Sequence, residues 1–237
     1  MSGGVYFRQL LAGRDFAIGD TLATQMVNFV YAVGDRDSGT AVLVDPAYRP
    51  GELVDLVRAD GLEVTGVVAT HYHPDHVGGD MMGYRIAGIK ELLDVLDVPV
   101  HVQAEEAPWV TRVTGVDATS LVAHRSGDRL QVGQLDITLI HTPGHTPGSQ
   151  CLLVDGRLLS GDTLFLEGCG RTDLPGSDPE EMYRTLSQRL AGVSDETVLC
   201  PGHFYATEAS APMGDVRRTN YVFAPPSATE WLAAFGR

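Results

Sequence analysis

The stretch ATHYHPDHVGGD, residues 69–80, holds three of the chain's 8 histidines, together with Asp75 and Asp80. It follows small and branched apolar residues (VTGVVAT, 64–70) that read as a β-strand. His71 and His73 are separated by one residue, so on an extended backbone both project to the same face. Asp75 and His76 come next, in a turn with Pro74, and Gly78-Gly79 lets the backbone pass close by. Neutral imidazoles are the commonest metal ligands, so a loop of this composition demands a rigid scaffold that brings further ligands to meet it.

The rest of the chain supplies them. HTPGHTPG brings His141 and His145, LLSGDTLF brings Asp162, and LCPGHFY brings His203. Each sits just after an apolar strand-like run, in a loop containing glycine. Alone, Asp162 would read as a turn former and Asp75 as a helix cap. The dense His-x-His-x-Asp-His changes that balance in favour of ligands. His141, still in the strand period before Pro143-Gly144, reads as a residue that orients its neighbour, whereas His101 and His124 read as polar loop residues.

Strand-like pairs joined by short turns alternate with single helices over the whole chain. Residues 27–34 and 40–46 form a hairpin, DG at 155–156 marks a second one, and 50–61, 89–97, 178–193 and 227–236 carry helical patterns. Asp178, followed by Pro179 and two glutamates, is a strong helix start. This order predicts an α/β fold of mixed sheets with helices outside, as one domain over 1–237. The span 77–134 reads as an inserted helical or lid region. Its Met81, Met82, Tyr84 and Trp109 either line an acyl pocket or form the packing face of added helices.

A hydrophobic content of 43% with 20% charged residues suits a soluble globular chain. The net charge of -14 argues against nucleic acid and against an anionic membrane as partners. The first residues show no basic leader ahead of an apolar run, and no 18-residue apolar span occurs. With three widely spaced cysteines, Cys151, Cys169 and Cys200, the expectation is a reduced, cytoplasmic protein.

The motifs THYHPDH, HTPGHTPGS, SGDTLF and PGH occur in the order used by the metallo-β-lactamase superfamily, which this chain resembles from about residue 27 to 205. The resemblance implies an αββα sandwich of two mixed sheets with metals at one edge. By position, His71, His73 and His145 would hold one ion and Asp75, His76 and His203 a second, with Asp162 bridging. Two cations about 3.5–4 Å apart can share a hydroxide and lower the pKa of bound water from 15.7 toward about 7. Two divalent ions are therefore expected, zinc first, although His and Asp ligands alone do not select it over iron or manganese.

GDTLFLEGCGRTD (161–173) and PGHFY are similar to the glyoxalase II (hydroxyacylglutathione hydrolase) branch and the related persulfide dioxygenases. That likeness implies substrate contacts from Arg171 and Tyr205, although Arg171 reads equally well as part of a surface ion pair. Glyoxalase II carries a separate helical domain beyond this point, and the residues after His203 are too few for a second core. Arg217 and Arg218 there could replace missing basic contacts or simply be exposed. The expected activity is hydrolysis of a small thioester or ester, acyl-glutathione among them, with Asp75 helping to orient the water. A mono-iron glutathione persulfide dioxygenase using His71, His145 and Asp162 is the alternative; lactonase and nuclease readings rank lower. The oligomeric state stays open, a homodimer included.

Overall fold

In the strand Phe29–Asp35, Phe29, Tyr31 and Val33 point one way and Val30 and Ala32 the other, and all are buried. A strand apolar on both faces belongs in an inner layer. The computed structural model, which describes residues 4–225 and 227–236, places it there. In chain order the elements are β1 (Val5–Leu11), α1 (Thr21–Met26), β2 (Phe29–Asp35), β3 (Thr40–Val44), α2 (Pro50–Ala59), β4 (Glu63–Val68) and α3 (Pro74–Val77). They continue with β5 (Gly79–Met81), β6 (Tyr84–Ile86), α4 (Ile89–Leu93), β7 (Val100–Gln103), α5 (Ala107–Thr114), β8 (Leu121–His124) and β9 (Arg129–Val132). The last third holds β10 (Leu135–His141), β11 (Gln150–Val154), β12 (Arg157–Gly161), α6 (Pro179–Arg184), β13 (Val198–Pro201), β14 (Ala211–Pro212), α7 (Met213–Thr219) and α8 (Ala228–Phe235).

Two six-stranded mixed sheets result, ordered β1-β2-β3-β4-β7-β8 and β14-β13-β12-β11-β10-β9. Phe29, Tyr31, Val33 and Val68 of the first sheet meet Ile137, Leu139, Leu152 and Leu159 of the second in an inter-sheet core. The outer face of the first sheet packs on α2, α4 and α5 through Leu43, Leu53, Val67, Leu92 and Val110. The outer face of the second is covered by α6, α7 and α8 through Leu158, Met182, Val216 and Trp231. The chain is thus an αββα sandwich, as read from the sequence.

Local signals explain the joints. Asp155 and Gly156 both have positive φ, +46° and +70°, the turn geometry that a tight β11–β12 hairpin needs. Asp178 caps α6 by accepting from the amides of Glu180 and Glu181, at 2.8 and 3.0 Å. The helix read over 89–97 is shorter, Ile89–Leu93, and is followed by a turn at Asp94 and Val95 that leads the chain into β7.

The span 77–134 is not a helical insertion. It contributes β7 and β8 to the first sheet and β9 to the second, and only the β5–β6 hairpin stands apart. PVHVQ (99–103) reads as a strand and forms β7, but the short runs LVAH and RLQV are too brief for periodicity to tell strand from loop; their neighbours decide. His101 and His124, read as loop residues, lie on β7 and β8, where they face each other with Nδ1 and Nε2 at 2.9 Å. No helix among the described residues is long and apolar enough to cross a membrane.

Leu139 is fully buried between the sheets. Leu139→Ala is expected to lower stability by about 2–5 kcal/mol in urea unfolding while leaving bound-metal content unchanged. A cost under about 1 kcal/mol would mean that this layer does not carry the sandwich.

Candidate metal centre

β3 runs parallel to β4 and β12 parallel to β13, while β10 and β12 flank the antiparallel β11. The carboxyl ends of β4, β10, β12 and β13 therefore open on one edge of the sandwich. From them come His71 and His73, His145, Asp162 and His203, while α3 adds Asp75 and His76. All seven are at most slightly exposed, with His76 fully buried.

Three groups with ligand spacing form among the described residues; one, Asp45 with His71 and His76, joins the other two. Nitrogens of His71, His73 and His145 lie within 4.8 Å of one another, and so do the ligand atoms of Asp75, His76 and His203. Asp162 stands between them: Oδ2 is 3.6 Å from His145 Nε2, and Oδ1 is 3.4 Å from both His76 Nε2 and His203 Nε2. One carboxylate presents an oxygen to each group.

The outer hydrogen bonds settle how the rings are protonated. His76 Nδ1 donates to Asp45 Oδ2 at 2.9 Å, His203 Nδ1 to the Met26 carbonyl at 2.7 Å, and His145 Nδ1 to the Arg171 carbonyl at 2.9 Å. Thr70 Oγ1 donates to Asp45, so it accepts from His71 Nδ1 at 3.0 Å. With Nδ1 donating outward, each Nε2 faces inward, where it can offer a lone pair to a cation or, in its absence, hold a proton against the carboxylates. These nitrogens crowd together: His76 Nε2 is 3.2 Å from His203 Nε2, and His145 Nε2 is 3.0 Å from Nδ1 of His73, the one ring with no outward bond to fix its proton. Asn28 Nδ2, the nearby donor at 3.3 and 3.4 Å, already donates to Asp75 Oδ2 at 3.1 Å. His71 Nε2 and Asp162 Oδ1 are buried with no hydrogen-bond partner at all. Inward-facing ring nitrogens crowded around unpartnered buried acceptors are what a cation relieves, so the residues fit a metal.

Electrostatics point the same way. Burial holds His71 well below the usual imidazole range and takes His73 down to about 4, keeping both neutral. Burial also opposes charge on His203, but Asp162 and Asp75 outweigh it and raise that ring to about 9. His76 is raised for the same reason, and Asp75 is held below the ordinary carboxylate range by His76 and His203 despite its burial. Two buried carboxylates demand positive charge here, which either protons or metal ions can supply.

The sequence profile of the Metallo-beta-lactamase superfamily matches residues 23–203, a span that includes all seven of these candidate ligands. The chain belongs to that superfamily. A hydroxyacylglutathione hydrolase from Xanthomonas campestris pv. campestris is 33% identical over 193 residues, covering 81% of this chain and 67% of that one. A probable polyketide biosynthesis zinc-dependent hydrolase, BaeB of Bacillus velezensis, is 26% identical over 83% of this chain and 81% of its own. Among solved structures, ETHE1 from Myxococcus xanthus aligns with a TM-score of 0.80 at 27% identity, over 98% of this chain and 90% of that one. These matches agree with the glyoxalase II and persulfide dioxygenase branch read from the motifs.

As a superfamily member the chain also carries supports that sequence reading missed. Asp45, at the end of β3, accepts from Thr70 N at 2.7 Å, Thr70 Oγ1 at 2.6 Å and His76, and so sets two ligands at once. Its φ of +55° is the strained left-handed geometry that often marks a functional position. Tyr48 donates to Asn28 Oδ1 at 2.7 Å, fixing the amide that holds Asp75. Glu106 is fully buried and accepts from Tyr72 N (2.7 Å), Thr146 Oγ1 (2.8 Å) and Gly148 N (2.7 Å), tying the His71–His73 loop to the His145 loop. The signal for Asp45 was a carboxylate at a strand end, like Asp162; Glu106 gave none, since its partners are backbone amides far away in sequence.

Other expected residues land at the rim. A cavity of about 820 Å³ opens over the ligands, and Arg171 and Tyr205 both line it. Tyr205 stacks on His203 with ring centres 4.6 Å apart. The Arg171 guanidinium is exposed and bidentate to Asp173, both contacts at 2.8 Å. His141 lies outside the ligand groups, its Nε2 2.9 Å from the Pro147 carbonyl in the His145 loop. Arg217 and Arg218 are held by Asp195 and Asp215, away from the cavity. Trp109 stacks on Tyr72 at 4.9 Å as packing, whereas Met81 and Met82 line the cavity.

Burial pushes the Glu106 carboxyl up to about 7, against the opposing donors of Thr146, Tyr72 and Gly148. Its folded value lies above its unfolded one, so its contribution to stability is complete below about pH 4.5 and is lost as pH rises through 7. Glu106→Ala is expected to lose about 2–4 kcal/mol at pH 5 in metal-free urea unfolding, with the gap to the parent chain shrinking toward pH 8. Metal affinity should fall roughly 10–100-fold. A gap that widens with pH, or unchanged metal affinity, would contradict this role.

Proposed function

We propose that the chain is a binuclear metal-dependent hydrolase of small acyl thioesters, acting in the cytoplasm. The observation that carries this reading is Asp162, with one oxygen toward His145 of the first ligand group and the other toward His76 and His203 of the second. His71, His73 and His145 would hold one ion, Asp75, His76 and His203 the other, and Asp162 both, with zinc the first expectation beside iron or manganese. Bound there, two divalent ions supply an activated water and an electrophile for a carbonyl oxygen.

The chain's own residues do the rest. Asp45, Met26 and the Arg171 carbonyl hold the imidazoles in the ligating tautomer, so no ring has to reorient during turnover. Asp75, held ionised, stands beside the ligands as an acceptor that orients the water. Partial burial, with Asp162 and Asp75 nearby, raises the Tyr205 phenol above its ordinary range, so it stays protonated as a hydrogen-bond donor at the mouth. Water's oxygen joins the acyl carbon as the C–S bond breaks, and the sulfur leaves with the bond electrons. A thiolate is a good leaving group near neutral pH, which suits a cavity wall lacking a lysine or a histidine outside the ligand set. The hydroxyacylglutathione hydrolase likeness supports a thioester; whether glutathione is the thiol depends on the cavity wall.

A mono-iron persulfide dioxygenase using His71, His145 and Asp162 is the second reading, with the likeness to ETHE1 in its favour. The complete second group, Asp75, His76 and His203, favours hydrolysis. Protein purified without added metal is expected to carry close to two ions per chain and to release thiol from acyl thioesters. His71→Ala and Asp162→Ala should each lower kcat/KM at least 1000-fold without loss of fold. One iron per chain with oxygen uptake on a persulfide, or full turnover in both variants, would overturn the proposal.

A further inference from the structure

The wall of the cavity, rather than its floor, bears on which thioester fits. Beyond the ligands it is built largely from Met26, Met81, Met82, Val113, Phe165 and Leu174. Its charged side chains outside the ligand set are Asp80, Glu167 and Arg171. Asp80 has Arg85 at 3.8 Å, outside the lining, while Glu167 is exposed at the rim. Arg171, the sole cation in the wall among the described residues, already makes a two-pronged pair with Asp173. The chain's single lysine, Lys90, lies elsewhere.

Glutathione carries two carboxylates and one ammonium at neutral pH. Each carboxylate entering a cavity needs a guanidinium, an ammonium or a cluster of donors to replace its water. This wall offers one engaged arginine and sets two carboxylates of its own against the incoming charge, a repulsive element that discriminates against anionic ligands.

The hairpin adds a second, independent observation. Met82 and Gly83 form its tip with φ of +51° and +83°. For a methionine that is a strained geometry, and Met82 is 85% exposed, with Tyr84 beside it at 61%. A large apolar side chain held in an unfavourable backbone state, in water, at the mouth of an apolar cavity gains from being covered. Methionine is also the side chain best able to adapt to varied apolar shapes. The cavity volume, about 820 Å³, is ample for a small-molecule ligand with an extended chain.

We infer that the substrate is a thioester of an apolar, medium-length acyl group on a thiol without net negative charge near the sulfur, the acyl chain lying under the β5–β6 hairpin against Met81 and Met82. The inference rests on the hydrolase reading and narrows it away from glutathione. The reaction is unchanged: one water splits the C–S bond into a carboxylic acid and a free thiol.

The test compares one acyl group on two thiols, S-octanoyl-N-acetylcysteamine and S-octanoylglutathione, with the metal-loaded full chain. The neutral thioester is expected to have at least tenfold higher kcat/KM. Across acetyl, butanoyl, hexanoyl and octanoyl esters of N-acetylcysteamine, kcat/KM should rise about 2–4-fold per methylene. Met82→Asp should compress the octanoyl-to-acetyl ratio five- to tenfold, and Asp80→Arg combined with Glu167→Arg should raise turnover of the glutathione ester. Calorimetric titration with the uncleavable thioethers S-octyl-N-acetylcysteamine and S-octylglutathione gives a readout independent of turnover, the former binding at least tenfold tighter. Thioester cleavage with glutathione equal or preferred, or with no dependence on chain length, would sink this inference and leave the hydrolase reading standing. No cleavage of any thioester, with the thioether order as expected, would sink the hydrolase reading and leave the cavity's preference standing. Failure of both thioethers to bind would overturn the inference.

Discussion

Four imidazoles whose Nδ1 protons are tied outward, and whose remaining nitrogens are forced together, are the constraint on which the rest of this structure depends. Hydrogen bonds to Asp45, Thr70, the Met26 carbonyl and the Arg171 carbonyl leave the rings no choice of tautomer. Buried beside two carboxylates, they form an arrangement that repels itself where nitrogen faces nitrogen and lacks positive charge where oxygen faces outward. A cation between them turns both costs into coordination. The sandwich supplies the rigidity: parallel and antiparallel pairings carry four strand ends to one edge, and apolar packing between the sheets holds that edge in place.

The supports are as much a part of the centre as the ligands. Asp45 serves two rings at once, Asn28 and Tyr48 hold Asp75, and Glu106 ties the two histidine loops to the start of α5. Glycine is required where backbone crosses the centre. A Cβ at Gly202 would lie 2.6 Å from Asp162 Oδ1, and one at Gly170 would lie 2.0 Å from the Asp162 carbonyl. This is why the motifs read PGH and GCG. Such spacing belongs to the backbone path and not to the metal chemistry itself.

Legibility in the sequence followed the range of the interactions involved. His71, His73, His76 and Asp75 could be read because they crowd one loop; His145, Asp162 and His203 because each follows an apolar strand at a glycine turn. Mixed sheets with helices outside were readable from strand-like pairs alternating with single helices and from the Asp178 cap of α6, while the αββα layering came from the resemblance of the motifs to the superfamily. The β5–β6 hairpin and the pairing of β7 with β8 were not, since short runs such as LVAH gain strand character only from a neighbour across the sheet. His101 and His124 looked like loop residues for the same reason. Glu106 stayed hidden because it is recognised through backbone amides 34 and 42 positions away, a separation no local pattern records. For Arg171 the sequence left substrate contact and a surface ion pair open, and the fold shows Asp173 as its ion-pair partner.

Anomalous diffraction from crystals grown without added metal tests the central claim most directly. Two peaks are expected, one at coordination distance (about 2.0–2.3 Å) from His71 Nε2, His73 Nδ1 and His145 Nε2, the other from Asp75, His76 Nε2 and His203 Nε2, with an Asp162 oxygen on each. A map with no peak, and with these rings hydrogen-bonded to one another or to water through Nε2, would contradict the account.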